Sequence, residues 1–464
     1  MSNSTAAPAA QPASTPPARS GGDWLKSWNP EDPATWDSKR AWRTLSVTTF
    51  TLTLAFIAWY LASALAPNLR NLGFNISDGQ LYWLIAMPGL AGGTLRLIWT
   101  FLPPIIGTRK LVTITTALLL LPLIGWGLAV QNPSTPYWVL LVLGLLSGIG
   151  GGAFSGFMPS TSYFFPKAKQ GTALGLQAGI GNFGVSIVQF VTPWIVGFSL
   201  LGGVFGAAQH YKKSIKVNGA AVVSIKDVWY QNAGYIWVPF VIVGVILAWM
   251  LLRSVPVQAR GVRDQLDIFS EKHTWIMTLL YVITFGTFSG FAAVFGLLIK
   301  NTYGTAVFQG AGIDPLKWVF WGALVGSFAR ILAGPIADRI GGGKITVVSA
   351  AGIALACVYT SMQFHPTSAS QFPAFFWGMI AVFFFAGIGN ASTFKQMPMI
   401  FQPRQAGGVI GWTAAIAAYG PFLFGVILAA IAPQVFFIIW AVLSAVGAVV
   451  AFWYYARPGA EKPC

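Results

Sequence analysis

Apolar runs of about 20 residues recur along almost the whole chain, and a helix of that length crosses the roughly 30 Å hydrocarbon core of a bilayer. Only 9% of the residues are charged and the mean hydropathy is +0.66, whereas about a quarter of residues are charged in soluble domains. We therefore predict an all-α membrane protein surrounded by lipid. The twelve predicted spans lie at about 44–66, 79–104, 111–130, 137–163, 171–200, 234–253, 273–299, 315–337, 345–364, 372–399, 405–430 and 432–456.

The basic residues are distributed unevenly between the two sides of these spans. Of the 28 Lys and Arg, 19 fall in the termini, or in the segments and span ends on the same side as the termini. Seven fall in the segments and span ends of the opposite side, and the remaining two lie deep inside spans. Positive charge is enriched on the cytoplasmic side of membrane proteins, so both termini are predicted to be cytoplasmic. The net charge of +16 comes from these short loops and not from a basic stripe, so no nucleic-acid partner is expected.

The spans divide into two similar halves. Arg96, Gly107 and Lys110 recur 234 residues later as Arg330, Gly341 and Lys344. Two equivalent six-helix halves are typical of transporters that bind substrate between the halves and rock around it. The predicted organisation is a disordered cytoplasmic tail (1–40), a first six-helix bundle (41–253), a cytoplasmic linker (254–272), a second six-helix bundle (273–456) and a C-terminal tail (457–464).

Arg96 and Arg330 lie inside spans, at matching positions of the two halves. A charge in the bilayer core costs roughly 3 kcal/mol or more, and intramembrane charges usually mark substrate paths. An arginine paired with a carboxylate is the simplest alternative, but none of the 12 acidic residues falls in the middle of a span. The expected partner is therefore an anionic ligand. The planar guanidinium fork suits a trigonal oxyanion or a carboxylate better than an ammonium would.

Asn182 is a polar amide within the glycine-rich fifth span. Such an amide needs a hydrogen-bond partner, and a substrate or a neighbouring helix could provide one; both possibilities stay open at this point. The surrounding glycines are typical of close helix packing. Cys357, Cys464 and the three histidines form no metal-binding or catalytic motif, so we expect neither a cofactor nor an enzyme.

The eighth span ends in Gly334-x3-Asp338-Arg339-x-Gly341-Gly342. This segment resembles the inner-loop signature of the major facilitator superfamily, and the resemblance implies that Asp338 and Arg339 act as a gate. The alternative is a tight cytoplasmic turn whose basic residues only set the topology.

The chain as a whole resembles the nitrate/nitrite porters of that superfamily. The resemblance rests on GIGGGAFSGFMPSTSYFFPKAK at 148–169, QGTALGLQAGIGNFG at 170–184, GIGNASTF at 387–394 and the leader Trp28-Asn-Pro-Glu-Asp-Pro-x-x-Trp36. It implies a multi-pass protein of a bacterial inner membrane, active in nitrate assimilation and monomeric by default. It also implies that Arg96 and Arg330 clamp the anion, with Phe154 and Phe285 stacking about it and Asn182 and Tyr281 nearby.

Three residues depart from the family pattern. Asn390 and Ala391 replace a Ser-Gly pair, and Ala414 stands where a serine can contact substrate. These departures bear on the selectivity among anions.

The coupling mechanism follows from the lack of titratable groups within the predicted spans. No Asp, Glu or His lies in mid-span, whereas a proton symporter normally carries one on its path. Two empty arginines would repel each other as the site closes, so we predict exchange of nitrate for nitrite. Proton symport, transport of small carboxylates and a nitrate sensor that transports nothing are the alternatives.

Overall fold

The structure is a computed structural model that describes residues 23–26, 28–34, 36–217, 220–256, 262–308 and 311–464. For residues 201–202, 214–217, 220–221, 262–265, 306, 338 and 403–404 it describes the backbone alone. The side chain of Asp338 and the first 22 residues, both subjects of predictions above, thus lie outside the described part.

Twelve helical segments in this part of the chain are long and apolar enough to cross a membrane, as predicted. The largest difference at a helix start is at the first, which begins at Ser38 and not at 44. We label them α1 to α12: Ser38–Leu72, Asp78–Trp99, Thr108–Ala129, Tyr137–Ser162, Lys167–Ile195, Asn232–Leu251, Lys272–Tyr303, Pro315–Ala337, Gly342–Ser361, Ala369–Ile400, Gln405–Ala430 and Pro433–Ala456.

Helix starts coincide with side chains that satisfy free backbone N–H groups. The Asp37 carboxylate accepts a hydrogen bond from Arg40 N, 2.9 Å away, just before α1. Ser77 and Gln80 form a reciprocal capping box at the start of α2. Such caps stabilise a helix end by about 1 kcal/mol. The Asp37 cap explains why α1 begins before its apolar run.

The packing of the helices repeats between the halves. In the first half α2 packs extensively on α4, and in the second α8 packs in the same way on α10. Across the interface, α2 contacts α11 and α5 contacts α8, which are equivalent pairs. Gly107 and Gly341, which end the α2 and α8 regions, both have positive φ, 81° and 101°. The repeat seen in the sequence is therefore a repeat of structure.

A π-helical turn interrupts α7 at Val282–Gly286. Tyr281 precedes the turn and Phe285 lies within it, and their rings stack 5.5 Å apart with an interplanar angle of 12°. Turns of this kind are often found at functional sites because they redirect side chains. In this protein the turn places two aromatic residues beside the interface between the halves.

An antiparallel hairpin, β1 (Gln209–Val217) and β2 (Ala220–Val228), lies between α5 and α6. The predicted spans place this segment in the connection between the fifth and sixth, 201–233. The pair Asn218-Gly219 between two runs rich in β-branched residues is the usual sequence signal of a hairpin. We call the face that carries the hairpin the hairpin side. The opposite face, which carries the described residues before α1 and the segment after α12, is the termini side.

The segment before α1 is more ordered than predicted from residue 23 onwards. The Trp28 indole donates to Tyr163 O and the Trp36 indole to Phe164 O, both at 2.9 Å. Leu25 N donates to Ser254 O at 2.9 Å. Two large rings packed against the end of α4, each with its N–H satisfied, outweigh the cost of ordering a short segment. The prediction of disorder over 1–40 was therefore wrong for this part of the tail.

Candidate binding site

Arg96 lies at the interface between the halves and is fully buried. Its Nε donates to Gly151 O in α4 and its Nη1 donates to Ala414 O in α11, both at 2.9 Å. Its Nη2 has no hydrogen-bond partner among the described residues. The guanidinium is thus held by both halves, and one of its nitrogens is left for another acceptor.

Three aromatic rings surround this guanidinium. The Cζ atom of Arg96 lies 4.6 Å from the ring centre of Phe154, 5.1 Å from that of Phe285 and 5.3 Å from that of Trp59. Each such contact contributes up to about 2 kcal/mol when the cation is shielded from water. The rings therefore help to keep a buried cation in place without supplying a counter-charge.

Arg330 in α8 is 5% exposed. Its Cζ atom lies 5.8 Å from the ring centre of Phe394 in α10, an arrangement equivalent to Arg96 in α2 beside Phe154 in α4. Its Nη1 has no acceptor in hydrogen-bond geometry within the described part of the chain. Each half therefore contributes one arginine backed by one phenylalanine.

Tyr281 connects the two arginines. Its hydroxyl interacts electrostatically with both guanidinium groups and lies near Arg330 without reaching hydrogen-bond geometry. Its ring stacks on Phe285 and lies 6.2 Å from Phe394. The two arginines are also close enough to repel each other. They face a common region lined by aromatic rings.

No carboxylate of the described residues lies within ion-pair distance of Arg96 or Arg330. The six ion pairs seen there involve Arg40, Arg70, His210, Lys213, Lys272 and His273. A buried pair of like charges is costly, and an anion between the two would relieve both the repulsion and the unmet hydrogen bonding. The site is thus suited to a small anion with several oxygen atoms.

Two asparagines within the spans are fully buried, Asn182 in α5 and Asn390 in α10. Neither amide has a hydrogen-bond partner, through its oxygen or its nitrogen, among the residues described. A buried amide without partners costs about 1–3 kcal/mol. The hypothesis that Asn182 bonds a neighbouring helix finds no support in this arrangement.

The structure brings together five of the six predicted substrate residues: Arg96, Arg330, Phe154, Phe285 and Tyr281. Asn182 is buried but makes no hydrogen bond to them. Three further aromatic residues lie beside the two arginines, Trp59, Tyr60 and Phe394, and no signal in the sequence singled them out. Asn390 carried the same signal as Asn182, an amide within a span.

The predicted gate lies on the termini side. The helix of α8 continues beyond the apolar span to Ile340, and the backbone of Asp338 and Arg339 belongs to this extension. The side chain of Arg339 is exposed. The left-handed Gly341 that follows allows the sharp turn into α9. A gating role for these two residues stays a prediction.

The halves contact each other on the hairpin side. Tyr60 Oη donates to Ser289 O at 3.0 Å and Gln189 Nε2 donates to Ala292 O at 2.9 Å. Lys213 of β1 pairs with Asp314 of the second half at 3.4 Å. On the termini side, by contrast, the faces of α5 and α11 near Gly171, Gly175 and Gly407 are exposed. This arrangement closes the hairpin side.

The Major Facilitator Superfamily model matches residues 48–358. A probable nitrate/nitrite antiporter of Thermus thermophilus, NarK2, is 61% identical over 96% of this chain and 99% of that protein. The chain belongs to the nitrate/nitrite porter family of the major facilitator superfamily. Both the predicted family and the predicted fold are confirmed.

Other members of the porter family are more distant in sequence. The nitrate/nitrite transporter NarU of Escherichia coli (strain K12) is 35% identical over 82% of this chain and 79% of its own length. The nitrite extrusion protein of Bacillus subtilis (strain 168) is 26% identical over 83% and 86%. A crystal structure of a bacterial homologue of the human lysosomal transporter Spinster shares the fold, with a TM-score of 0.60 at 14% identity, over 90% of this chain and 98% of that one.

Proposed function

We propose that this porter exchanges nitrate for nitrite across a bacterial inner membrane. The observation that carries the proposal is the pair of buried guanidinium groups, Arg96 and Arg330, which share one site without a carboxylate in ion-pair distance among the described residues. The names of the relatives, nitrate/nitrite antiporter and nitrate/nitrite transporter, support these substrates. The anion would bind between the arginines, with Phe154, Phe285 and Tyr281 around it and Asn182 in reach.

Exchange follows from the charge of the site. When the site is empty, the two arginines repel each other in a region of low dielectric, so drawing the halves together around them is costly. A monovalent anion removes much of that cost. We therefore infer that the halves, 41–253 and 273–456, move between their two orientations with an anion bound. Nitrate moving inward and nitrite moving outward then occupy the same site in turn. In this proposal both termini lie on the cytoplasmic side.

The aromatic rings set the shape of the site. The rings of Phe154, Phe285 and Trp59 pack about the Arg96 guanidinium, and we expect a planar anion to fit beside them. Nitrate and nitrite are planar, and both present oxygen atoms to several donors. Formate and oxalate are also planar anions with several oxygen atoms, so small carboxylates are the competitors to be tested. We expect the transporter to act as a monomer, so the experiments use the purified monomer.

Proteoliposomes provide the direct experiment. Vesicles loaded with nitrite should take up labelled nitrate rapidly, and empty vesicles with an inward proton gradient should take up almost none. Uptake driven by the proton gradient into empty vesicles would show proton symport and contradict exchange. Nitrate binding without any counterflow would indicate a sensor. Inhibition of counterflow by formate or oxalate at lower concentration than nitrate itself would reassign the substrate to carboxylates.

A further inference from the structure

Asn390 departs from the family pattern in the tenth span, and it resembles Asn182 in its burial and in its lack of hydrogen-bond partners among the described residues. Its side chain is fully buried, and both Oδ1 and Nδ2 are without hydrogen-bond partners in the described part of the protein. Because an unsatisfied buried amide destabilises the folded protein, a residue that only packs would be better served by an apolar side chain. A bound ligand therefore explains this amide better than packing alone does.

The position of Asn390 on α10 determines which way it faces. Phe383, Gly387, Asn390 and Phe394 follow one another at intervals of four, three and four residues, so they lie on one face of the helix. Phe383 contacts the ring of Phe288 in α7, with ring centres 6.1 Å apart. Phe394 lies over Arg330 and beside Tyr281. Asn390, one turn from Phe394, thus faces the region between α7 and α8.

The contacts of Gly387 and of the other face of α10 agree with this orientation. A Cβ atom on Gly387 would lie 2.9 Å from the Cβ of Ala329, the residue before Arg330. Ser392, by contrast, bonds Thr346 of α9 at 2.7 Å, so that face of the helix is occupied by α9. The amide of Asn390 therefore belongs to the face that carries the binding site.

We infer that Asn390 is a binding residue for the transported oxyanion, contributed by the second half of the protein as Asn182 is by the first. The inference rests on the proposed function. The Nδ2 group donates to an oxygen atom of the anion that the arginines leave free. Each half then contributes one arginine and one asparagine to the site.

The expected effect can be separated from a packing effect. Asn390→Ala removes a donor to a charged ligand, which is worth about a ten- to hundredfold loss of affinity. Because it also removes an unsatisfied amide, the melting temperature of the anion-free protein should stay the same or rise. Asn390→Asp places a carboxylate beside Arg330, so it should abolish nitrate binding. Ser392→Ala, on the α9 face, is the matched control and should bind nitrate as the wild type does.

The experiment measures nitrate binding by isothermal titration calorimetry, and melting temperature without anion, for the purified full-length protein and these variants. A tenfold or greater loss for Asn390→Ala with an unchanged or higher melting temperature supports the inference. An unchanged nitrate affinity of Asn390→Ala overturns the inference. An equal loss of nitrate affinity in Asn390→Ala and Ser392→Ala also overturns it. If Asn390→Ala does not fold, Asn390→Ser decides in the same way. If Arg96→Lys loses nitrate binding and Asn390→Ala keeps it, only the role of Asn390 is overturned. If the wild type does not bind nitrate, the proposed function is overturned as well.

Discussion

Nη1 of Arg96 donates to the backbone oxygen of Ala414 across the interface between the two halves, at 2.9 Å. Another nitrogen of the same guanidinium is bonded within its own half, to Gly151 O. The arginine proposed to bind the anion is therefore also a link between the bodies that must move. An anion bound at the free Nη2 would therefore be attached to a side chain that both halves hold.

The ion pair between Lys213 and Asp314 should help to keep the hairpin side closed. Both side chains are about one-third exposed, so the pair contributes at most about 1 kcal/mol, less than a tenfold change in an equilibrium. Asp314→Asn should increase, by up to about fivefold, the rate at which a polar maleimide modifies a cysteine placed at the buried Ser63.

The control for this prediction is the charge-swapped pair Lys213→Asp with Asp314→Lys, which should return the labelling rate towards that of the parent protein. Equal rates in the parent, Asp314→Asn and the swapped protein would show that the pair has no part in closure.

Gly150 and Gly171 should respond in opposite ways to replacement by alanine. A Cβ on Gly150 would overlap the Ala55 carbonyl oxygen of α1, whereas a Cβ on Gly171 has no described atom within 4 Å. Gly150→Ala should therefore destabilise the protein by about 1–3 kcal/mol through overpacking. Gly171→Ala should be neutral or stabilise its helix by up to about 1 kcal/mol. Thermal unfolding of the two variants gives the comparison, and equal melting temperatures would contradict it.

The segment after α12 is held against the second half by Glu461. Its carboxylate bonds Lys272 at 2.6 Å and His273 at 3.1 Å, and these bonds keep the pKa of Glu461 below its usual value. The contact is therefore present at neutral pH and is lost as the pH falls through that lowered pKa. Nearby, the Cys464 thiol donates to Gln396 Oε1 at 3.4 Å, and burial raises the pKa of Cys464 to about 11.

We expect Cys464 to react slowly with maleimide at neutral pH, since raising a thiol pKa from 9.0 to about 11 lowers the thiolate fraction about a hundredfold. Glu461→Ala should release the segment and speed the reaction at least tenfold. The measurement uses a Cys357→Ala background, so that one thiol is followed. A rate that levels off near pH 9 in the protein with Glu461 intact would contradict the buried position.

The spans and the two arginines could be predicted because each rests on a simple physical cost. A bilayer demands apolar runs of fixed length, and a charge inside one stands out. The repeat of Arg96 and Arg330 then placed both on equivalent helices. The division into two equivalent halves could be predicted from the similarity of their sequences alone.

The rest of the site depends on which helix faces meet, and a sequence does not state this directly. Phe394 is one of 35 phenylalanines, and its position over Arg330 follows from the packing of α10 on α8. The resemblance to the porter family pointed to Phe154 and Phe285, which composition alone would not have singled out. The π-helical turn at Val282–Gly286 and the docking of Trp28 and Trp36 likewise arise from tertiary contacts.

The central claim is that Arg96 and Arg330 bind the anion through their guanidinium forks. An ammonium keeps the charge but loses the paired donors, so Arg96→Lys and Arg330→Lys should each weaken nitrate binding by tenfold or more, about 1.4 kcal/mol or more. Arg109→Lys is the control, because Arg109 lies over the ring of Trp249 and outside the site.

The most direct test is protection against thermal unfolding by nitrate, measured on the wild type and these three variants. A ligand that binds only the folded state raises its stability by RT ln(1 + [L]/Kd), so a weaker-binding variant gains less from the same nitrate concentration. The account predicts that nitrate raises the melting temperature of the wild type and of Arg109→Lys, and has little effect on Arg96→Lys and Arg330→Lys. Equal protection of all four proteins would contradict it.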